Sequence, residues 1–190
     1  NGPCAIIMNN NEVKDNEYLT FSIAERACNF IKENKKHPFL LYIPFNAPHT
    51  PFQAPESYCE KFTLVKDKNK RVYYAMIAAL DDAIGQILDQ VEKLGLEENT
   101  LIFFASDNGG ATYTGATDNG DLKGGKITNF EGGINIPFTI KWKGKIPGGT
   151  LYQKPVSLLD IFTTSCAAGN INLPNDRPVD GVNLLPYCND

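Results

Sequence analysis

Short, unbroken apolar runs set between helix-periodic segments are the feature that most constrains this sequence. Phe39-Leu-Leu-Tyr-Ile and Thr100-Leu-Ile-Phe-Phe-Ala each end in turn chemistry, and Pro137-Phe-Thr-Ile-Lys-Trp follows a glycine-rich stretch. Runs of this length suit strands covered on both faces. Between them, Val72, Met76, Ala79, Leu80, Ala83, Ile84, Ile87, Leu88, Val91 and Leu94 form one stripe, which predicts a helix from Lys70 to Leu94 stopped by Gly95. Phe21, Ala24, Ala27, Cys28 and Ile31 predict an earlier helix with Thr20 as its cap, and Leu158 to Ala168 a last short one. Buried strands alternating with helices argue for an α/β sheet covered on both faces. Pro44, Pro48, Pro51 and Pro55 exclude regular structure, so Phe45 to Pro55 is expected to be an ordered loop leaving a strand. From Asn170 onward, Pro174, Pro178 and Pro186 predict an extended tail.

Length and composition narrow the partners. A chain of 190 residues and 21.0 kDa buries about 70% of an unfolded surface of roughly 30,000 Å², leaving roughly 9,000 Å² exposed. With 42% hydrophobic and 21% charged residues the sequence is that of a globular domain. No apolar run approaches the ~20 residues of a membrane span. Eighteen basic residues against 22 acidic ones, with no basic stripe, argue against nucleic acid as a partner. Cys4, Cys28, Cys59, Cys166 and Cys188 contain no C-x-x-C pair, so a zinc finger is excluded, and their odd number forbids complete internal pairing. No charged-then-apolar leader follows Asn1.

Three segments could carry chemistry. Ser106-Asp107-Asn108-Gly109-Gly110 stands at the carboxyl end of an expected strand, where ligands sit in open α/β sheets. A carboxylate beside an amide oxygen offers two hard ligands suited to Ca²⁺ or Mg²⁺. Asp-Asn-Gly-Gly is equally good turn chemistry. Gly120, four residues, then Gly125-Lys126 nearly spell a phosphate-binding loop, but Ile127 replaces the Ser/Thr that would hold Mg²⁺. What remains is a lysine on a backbone that glycines let approach an oxyanion, or else an exposed loop lysine. His49 lies between Pro48 and Pro51, which would pre-position an imidazole, although a lone histidine is commonly structural. His37 has no comparable setting. Asp81 and Asp82 point about 100° apart on a helix and so form no paired site. Asp118 and Asp121 lack the spacing of a calcium-binding EF-hand loop.

Taken in order, several segments resemble one family, the sulfatases of the alkaline phosphatase superfamily. They are Pro38-Phe-Leu-Leu-Tyr-Ile-Pro-Phe-Asn-Ala-Pro-His-Thr-Pro-Phe-Gln-Ala-Pro, Tyr74-Ala-Met-Ile-Ala-Ala-Leu-Asp-Asp-Ala-Ile-Gly, Phe103-Phe-Ala-Ser-Asp-Asn-Gly-Gly, Leu122-Lys-Gly-Gly-Lys with Phe130-Glu-Gly-Gly, Ser157-Leu-Leu-Asp-Ile-Phe, and Asp180-Gly-Val-Asn-Leu-Leu-Pro. The resemblance implies an alkaline-phosphatase-like mixed sheet sandwiched between helices, present in part. It implies that Asp107 and Asn108 bind Ca²⁺ as half of a metal site. It further implies that His49 and Lys126 contact the sulfate and the leaving oxygen as catalytic and substrate-binding residues. The expected parent is a calcium-dependent sulfatase hydrolysing a sulfate ester, with a carbohydrate as the expected carrier of the ester. A phosphodiester or phosphonate hydrolase of the same superfamily and a non-catalytic binding module stand as alternatives. The family's nucleophile, a formylglycine made in a C/S-x-P-x-R setting, has no counterpart here, because no Cys or Ser is followed by Pro two residues on. Residues 1–190 therefore read as one partial sulfatase domain, family-like over 18–186, with residues 1–17 as an N-terminal segment. The formylglycine is expected in an N-terminal half outside this chain. The implied partners are a sulfated small molecule or glycan and that missing half, with self-association through an exposed sheet edge, and neither nucleic acid nor membrane. The implied location is periplasmic, secreted or lysosome-like.

Overall fold

The computed structural model describes residues 6–13 and 17–188. The chain divides into two compact units, one running to Leu94 with Gly115–Thr117, the other holding Gly95–Thr114 and the chain from Asp118 onward.

The first unit is built on two helices, α1 (Leu19–Asn34) and α3 (Lys68–Lys93), with the short α2 (Glu56–Cys59) between them in sequence. The helices bury an apolar face rich in alanine: Ala24, Ala27 and Ile31 of α1 and Ala75, Ala79, Ala83, Ile87 and Val91 of α3 are buried. The predicted stripe is thus the buried face of α3, and alanine at its centre lets the two backbones approach closely. The cap of α1 differs from expectation. Thr20 lies inside the helix and is buried, while the backbone carbonyl of Tyr18 accepts from the amides of Phe21 and Ser22. α3 starts two residues earlier than the stripe indicates, because Asp67 Oδ1 accepts from the Lys70 amide at 2.9 Å and caps it. Gly95 at φ +68° ends the helical run as expected. Tyr58 on α2 donates to Asp82 Oδ2 at 2.7 Å, and this bond to a carboxylate pushes the phenol up to about 12. A hairpin precedes α1: β1 (Ile6–Met8) pairs antiparallel with β2 (Asn11–Val13) in register Ile6↔Val13. Its two-residue loop, Asn9-Asn10, has positive φ at both positions, which asparagine tolerates.

Phe39–Ile43, expected to be a buried strand, is extended but has no ladder partner among the described residues. Its side chains alternate between half-buried (Phe39, Leu41, Ile43) and exposed (Leu40 and Tyr42, each 82% exposed). Inter-strand hydrogen bonds define a strand, and an apolar run supplies only the tendency.

In the second unit β3 (Ile102–Ala105) pairs antiparallel with β4 (Phe138–Lys141), with Ile102 opposite Lys141 and Ala105 opposite Phe138. Both strands fall where the apolar runs place them. Neither is buried on both faces, since Phe104 and Thr139 stand exposed. The short α4 (Glu131–Ile134) opens on Glu-Gly-Gly. α5 (Asp160–Ala168) is the predicted last helix, begun two residues later. Trp142 is buried after β4, its indole N–H donating to the Glu98 carbonyl at 3.0 Å, and Lys141 and Lys143 both pair with Glu97.

Two of the sequence motifs prove to be mutual anchors. The buried Asp160 carboxylate accepts from the Ser157 amide at 2.7 Å and from the Val182 amide at 2.8 Å. Thr164 Oγ1 accepts from the Leu184 amide at 2.9 Å, and Thr163 Oγ1 donates to the Val182 carbonyl at 2.6 Å. Ser157-Leu-Leu-Asp and Asp180-Gly-Val-Asn-Leu-Leu are therefore one device that fastens the extended tail to α5. Asp160→Ala is expected to lower stability by about 2 kcal/mol, because two amides lose their acceptor in a buried setting. Chemical denaturation checks this, and an unchanged midpoint would show the tail to be held otherwise.

Leu40, Tyr42, Leu64 and Leu151 are among the apolar side chains left uncovered.

Candidate functional site

The second unit brings Asp107, Asn108 and Lys126 together through glycine. Beyond β3 the Ser106 amide donates to the Pro137 carbonyl at 3.2 Å, carrying the ladder one step further. The chain then turns at Asp107-Asn108, where Ser106 Oγ donates to the Asn108 carbonyl at 2.7 Å. Asn108 Nδ2 donates to the Gly109 carbonyl at 2.9 Å, which leaves its Oδ1 as the atom to offer a cation beside the exposed Asp107 carboxylate. The sequence expectation that this is a turn and the expectation that it is a ligand pair are compatible: the turn fixes the amide.

From there the backbone crosses two other glycine segments. The Gly109 amide donates to the Gly133 carbonyl at 3.0 Å, and the Gly132 amide to the Lys123 carbonyl at 2.8 Å. A Cβ on Gly109 would overlap the carbonyl oxygen of Gly132, and one on Gly132 would meet the carbonyls of Gly124, Leu122 and Lys123. Glycine is required here for approach. The Lys126 amide donates to the Gly110 carbonyl at 3.0 Å. The half-buried lysine is thereby tied to the same strand exit, two residues beyond Asn108.

Lys126 sits in a four-residue turn, Gly125 to Thr128, closed by the Thr128 amide on the Gly125 carbonyl at 3.0 Å. Thr128 Oγ1 reinforces it, donating to the Gly125 carbonyl at 2.7 Å and accepting from its amide at 3.2 Å. The third residue is Ile127 at φ +79°, 85% exposed. Turns with a left-handed third residue normally place glycine there, and a β-branched side chain in that region costs about 1–2 kcal/mol. Ile127→Gly is expected to stabilise the chain by up to about 1 kcal/mol after the loss of about 0.5–1 kcal/mol from added backbone freedom. A rise of a few degrees in Tm would be the signature; a fall would mean that Ile127 makes contacts worth more than its strain.

His49 belongs to the first unit. Its loop is held by aromatic contacts at both ends: Phe39 lies edge-on to Phe30 of α1 and Phe52 to Tyr73 of α3. Within it, the His49 amide donates to the Asn46 carbonyl at 2.9 Å, and the Ala47-Pro48 and Thr50-Pro51 peptides are cis. His49 Nδ1 lies 2.7 Å from the Thr50 carbonyl. A carbonyl only accepts, so Nδ1 carries a proton and Nε2 of this exposed side chain is the nitrogen left for a ligand.

One residue at the site went unread in the sequence. Asn119, in Asp118-Asn119-Gly120, looks like turn punctuation, yet its side-chain oxygen accepts from the Gly110 amide at 2.9 Å and its nitrogen donates to the Gly124 carbonyl at 2.9 Å. No local pattern gives such a cross-link away. Asp118 Oδ1 accepts from the Gly120 amide at 3.1 Å, a local turn contact. Among the described residues no group of three or more His, Cys, Asp or Glu could hold a metal, and Cys28, Cys59, Cys166 and Cys188 are free. Cys4 lies outside the described residues.

Comparison with known proteins matches the family model Sulfatase over residues 4–171. The chain is 34% identical over 190 residues to the uncharacterized sulfatase YdeN of Escherichia coli (strain K12), covering 98% of this chain and 34% of that protein. It is 36% identical over 172 residues to human N-acetylgalactosamine-6-sulfatase, covering 88% of this chain and 32% of that one. A crystal structure of Ps i-CgsB in complex with k-i-k-neocarrahexaose superposes with a TM-score of 0.92 at 36% identity, over 97% of this chain and 41% of that one. The fold is accordingly that of the alkaline-phosphatase-like sulfatases, and the chain spans about a third of the length of the curated relatives it matches.

Proposed function

Starting from a chain that belongs to the sulfatase family, we propose that residues 1–190 are one partial domain of a calcium-dependent sulfatase, family-like over 18–186, which grips the sulfuryl group of a carbohydrate sulfate ester. The observation that supports this most directly is the bond from the Lys126 amide to the Gly110 carbonyl, which ties a cationic side chain to the turn bearing Asp107 and Asn108. The hard oxygen donors there, one carboxylate and one amide oxygen freed by the Asn108–Gly109 bond, suit Ca²⁺. Asp107 and Asn108 would hold part of its coordination shell, and calcium, when bound, supplies positive charge against the sulfuryl oxygens.

The chain's own residues have distinct work. Lys126 Nζ binds a sulfuryl oxygen and stabilises charge that grows as the S–O bond to the sugar breaks. His49, whose Nδ1–H donates to the Thr50 carbonyl, is the general acid in its doubly protonated form, with Nε2 giving its proton to the departing sugar oxygen and the ring left neutral. A carbohydrate ester is favoured by two of the similar proteins, one named N-acetylgalactosamine-6-sulfatase and one crystallised in complex with k-i-k-neocarrahexaose. The half with the formylglycine is the natural cover for the extended Phe39–Ile43 run, which has no ladder partner among the described residues and whose edge would otherwise promote self-association. We assign the parent to a periplasmic, secreted or lysosome-like compartment; among the described residues no helix is long and apolar enough to cross a membrane.

The test follows from the attacking group. No Cys or Ser here has the C/S-x-P-x-R setting, and groups that act as one catalytic unit fail together. The 190-residue chain is expected to show no turnover of an aryl sulfate with calcium added. Robust turnover that disappears on His49→Ala would place the nucleophile in this chain and overturn the reading.

A further inference from the structure

The Asn119 side chain behaves as an inserted peptide group between the two segments that carry the site. Its Oδ1 accepts from the Gly110 amide at 2.9 Å, while its Nδ2 donates to the Gly124 carbonyl at 2.9 Å and lies 3.4 Å from the Gly110 carbonyl. Gly110 thus offers both backbone groups to one amide side chain, and its carbonyl also accepts from the Lys126 amide at 3.0 Å. Gly125 is packed so closely against this arrangement that a Cβ there would meet the Gly110 carbonyl and Asn119 Nδ2. The remaining bonds of the Lys126 turn are internal, running between Gly125 and Thr128. They shape the turn but do not attach it to the Asp107–Asn108 exit.

We propose that Asn119 is the positioning residue for Lys126: one amide side chain fixes the distance between the lysine's turn and the Asp107–Asn108 turn by bonding to Gly110 on one side and Gly124 on the other. The proposal rests on the role given to Lys126 above. Serine is too short to reach both partners, and aspartate would set a carboxylate oxygen against the Gly110 and Gly124 carbonyls where Nδ2 now donates. A displacement of about 1 Å in a charge-stabilising group is enough to lower a rate by about 10²-fold, so the expected loss on Asn119→Ala is roughly 10- to 100-fold in kcat/KM.

A double-mutant cycle in the complete sulfatase polypeptide carrying this segment separates positioning from general support. With an aryl sulfate as probe, Asn119→Ala should cost roughly 10- to 100-fold in the native background and less than about 2-fold when Lys126 is already alanine. Full additivity, or no cost while Lys126→Ala alone is severe, overturns the positioning role and leaves the sulfatase reading intact. A silent Lys126→Ala overturns both. Amide hydrogen exchange on the 190-residue chain provides the second measurement should the variant enzyme fail to fold. In Asn119→Ala the Lys126 amide should exchange at least 10-fold faster while the β3 amides keep their rates; an unchanged Lys126 amide refutes the proposal.

Discussion

Lys126→Ala in the complete enzyme is expected to lower kcat/KM by about 10² or more, with the loss mainly in kcat. The reason lies in where the charge acts. The Lys126 backbone amide is bonded to Gly110, beside the Asp107–Asn108 turn; in the role proposed for it, its ammonium is a preorganised charge for the sulfuryl oxygens, and such charges are worth about 3–4 kcal/mol. Lys126→Arg should recover little, since the guanidinium is longer, planar and differently directed from a point-like ammonium. A steady-state comparison of the three enzymes decides the matter, and an alanine variant within a few-fold of native would remove Lys126 from the chemistry.

Gly109→Ala is expected to have the largest effect on stability, a loss of about 3 kcal/mol or more. The added methyl group would occupy the space of the Gly132 carbonyl oxygen, and its next neighbours are the Gly132 carbonyl carbon and Gly133 Cα, all of them backbone. Side chains can rotate away from an intruding methyl group, but a backbone crossing can relieve it only by separating. Separation breaks the Gly109–Gly133 bond at 3.0 Å and with it the register of α4 against the strand exit. Contrast Gly85, on α3, where a Cβ would meet nothing within 4 Å. Gly85→Ala should be neutral or slightly stabilising through helix propensity. Thermal melts of the pair test the claim; equal Tm values would mean that the crossing is looser than its geometry implies.

What the sequence makes legible follows from how local each signal is. The stripe from Val72 to Val91 repeats over five turns and marks both the existence and the buried face of α3. β3 and β4 are readable because a short apolar run bounded by turn residues has few other uses. Asp67 as the α3 cap is legible in principle, being an aspartate at the start of a helical run, but the hydrophobic stripe begins later and draws the boundary with it. Thr20 shows the converse: it is a good capping residue by type, and burial against the helix pair takes it inside instead.

Asp107, Asn108, Lys126 and His49 are marked by residue type and neighbours, because glycine and proline around a polar side chain are themselves local statements about backbone. Only the tertiary structure decides the rest. Gly110 and Asn119 are nine residues apart and Gly109 and Gly133 twenty-four, and hydrogen bonds that backbone groups make across such separations leave no trace in the local residue pattern. Asp160 and Val182 are similarly joined across twenty-two residues. Phe39–Ile43 carries the same apolar signature as β3 and yet has no ladder partner among the described residues, since pairing is a property of two segments and a sequence run describes one. Composition and spacing determine which residues could serve a sulfatase; the long-range bonds that no single segment encodes determine where Lys126 stands relative to Asp107 and Asn108.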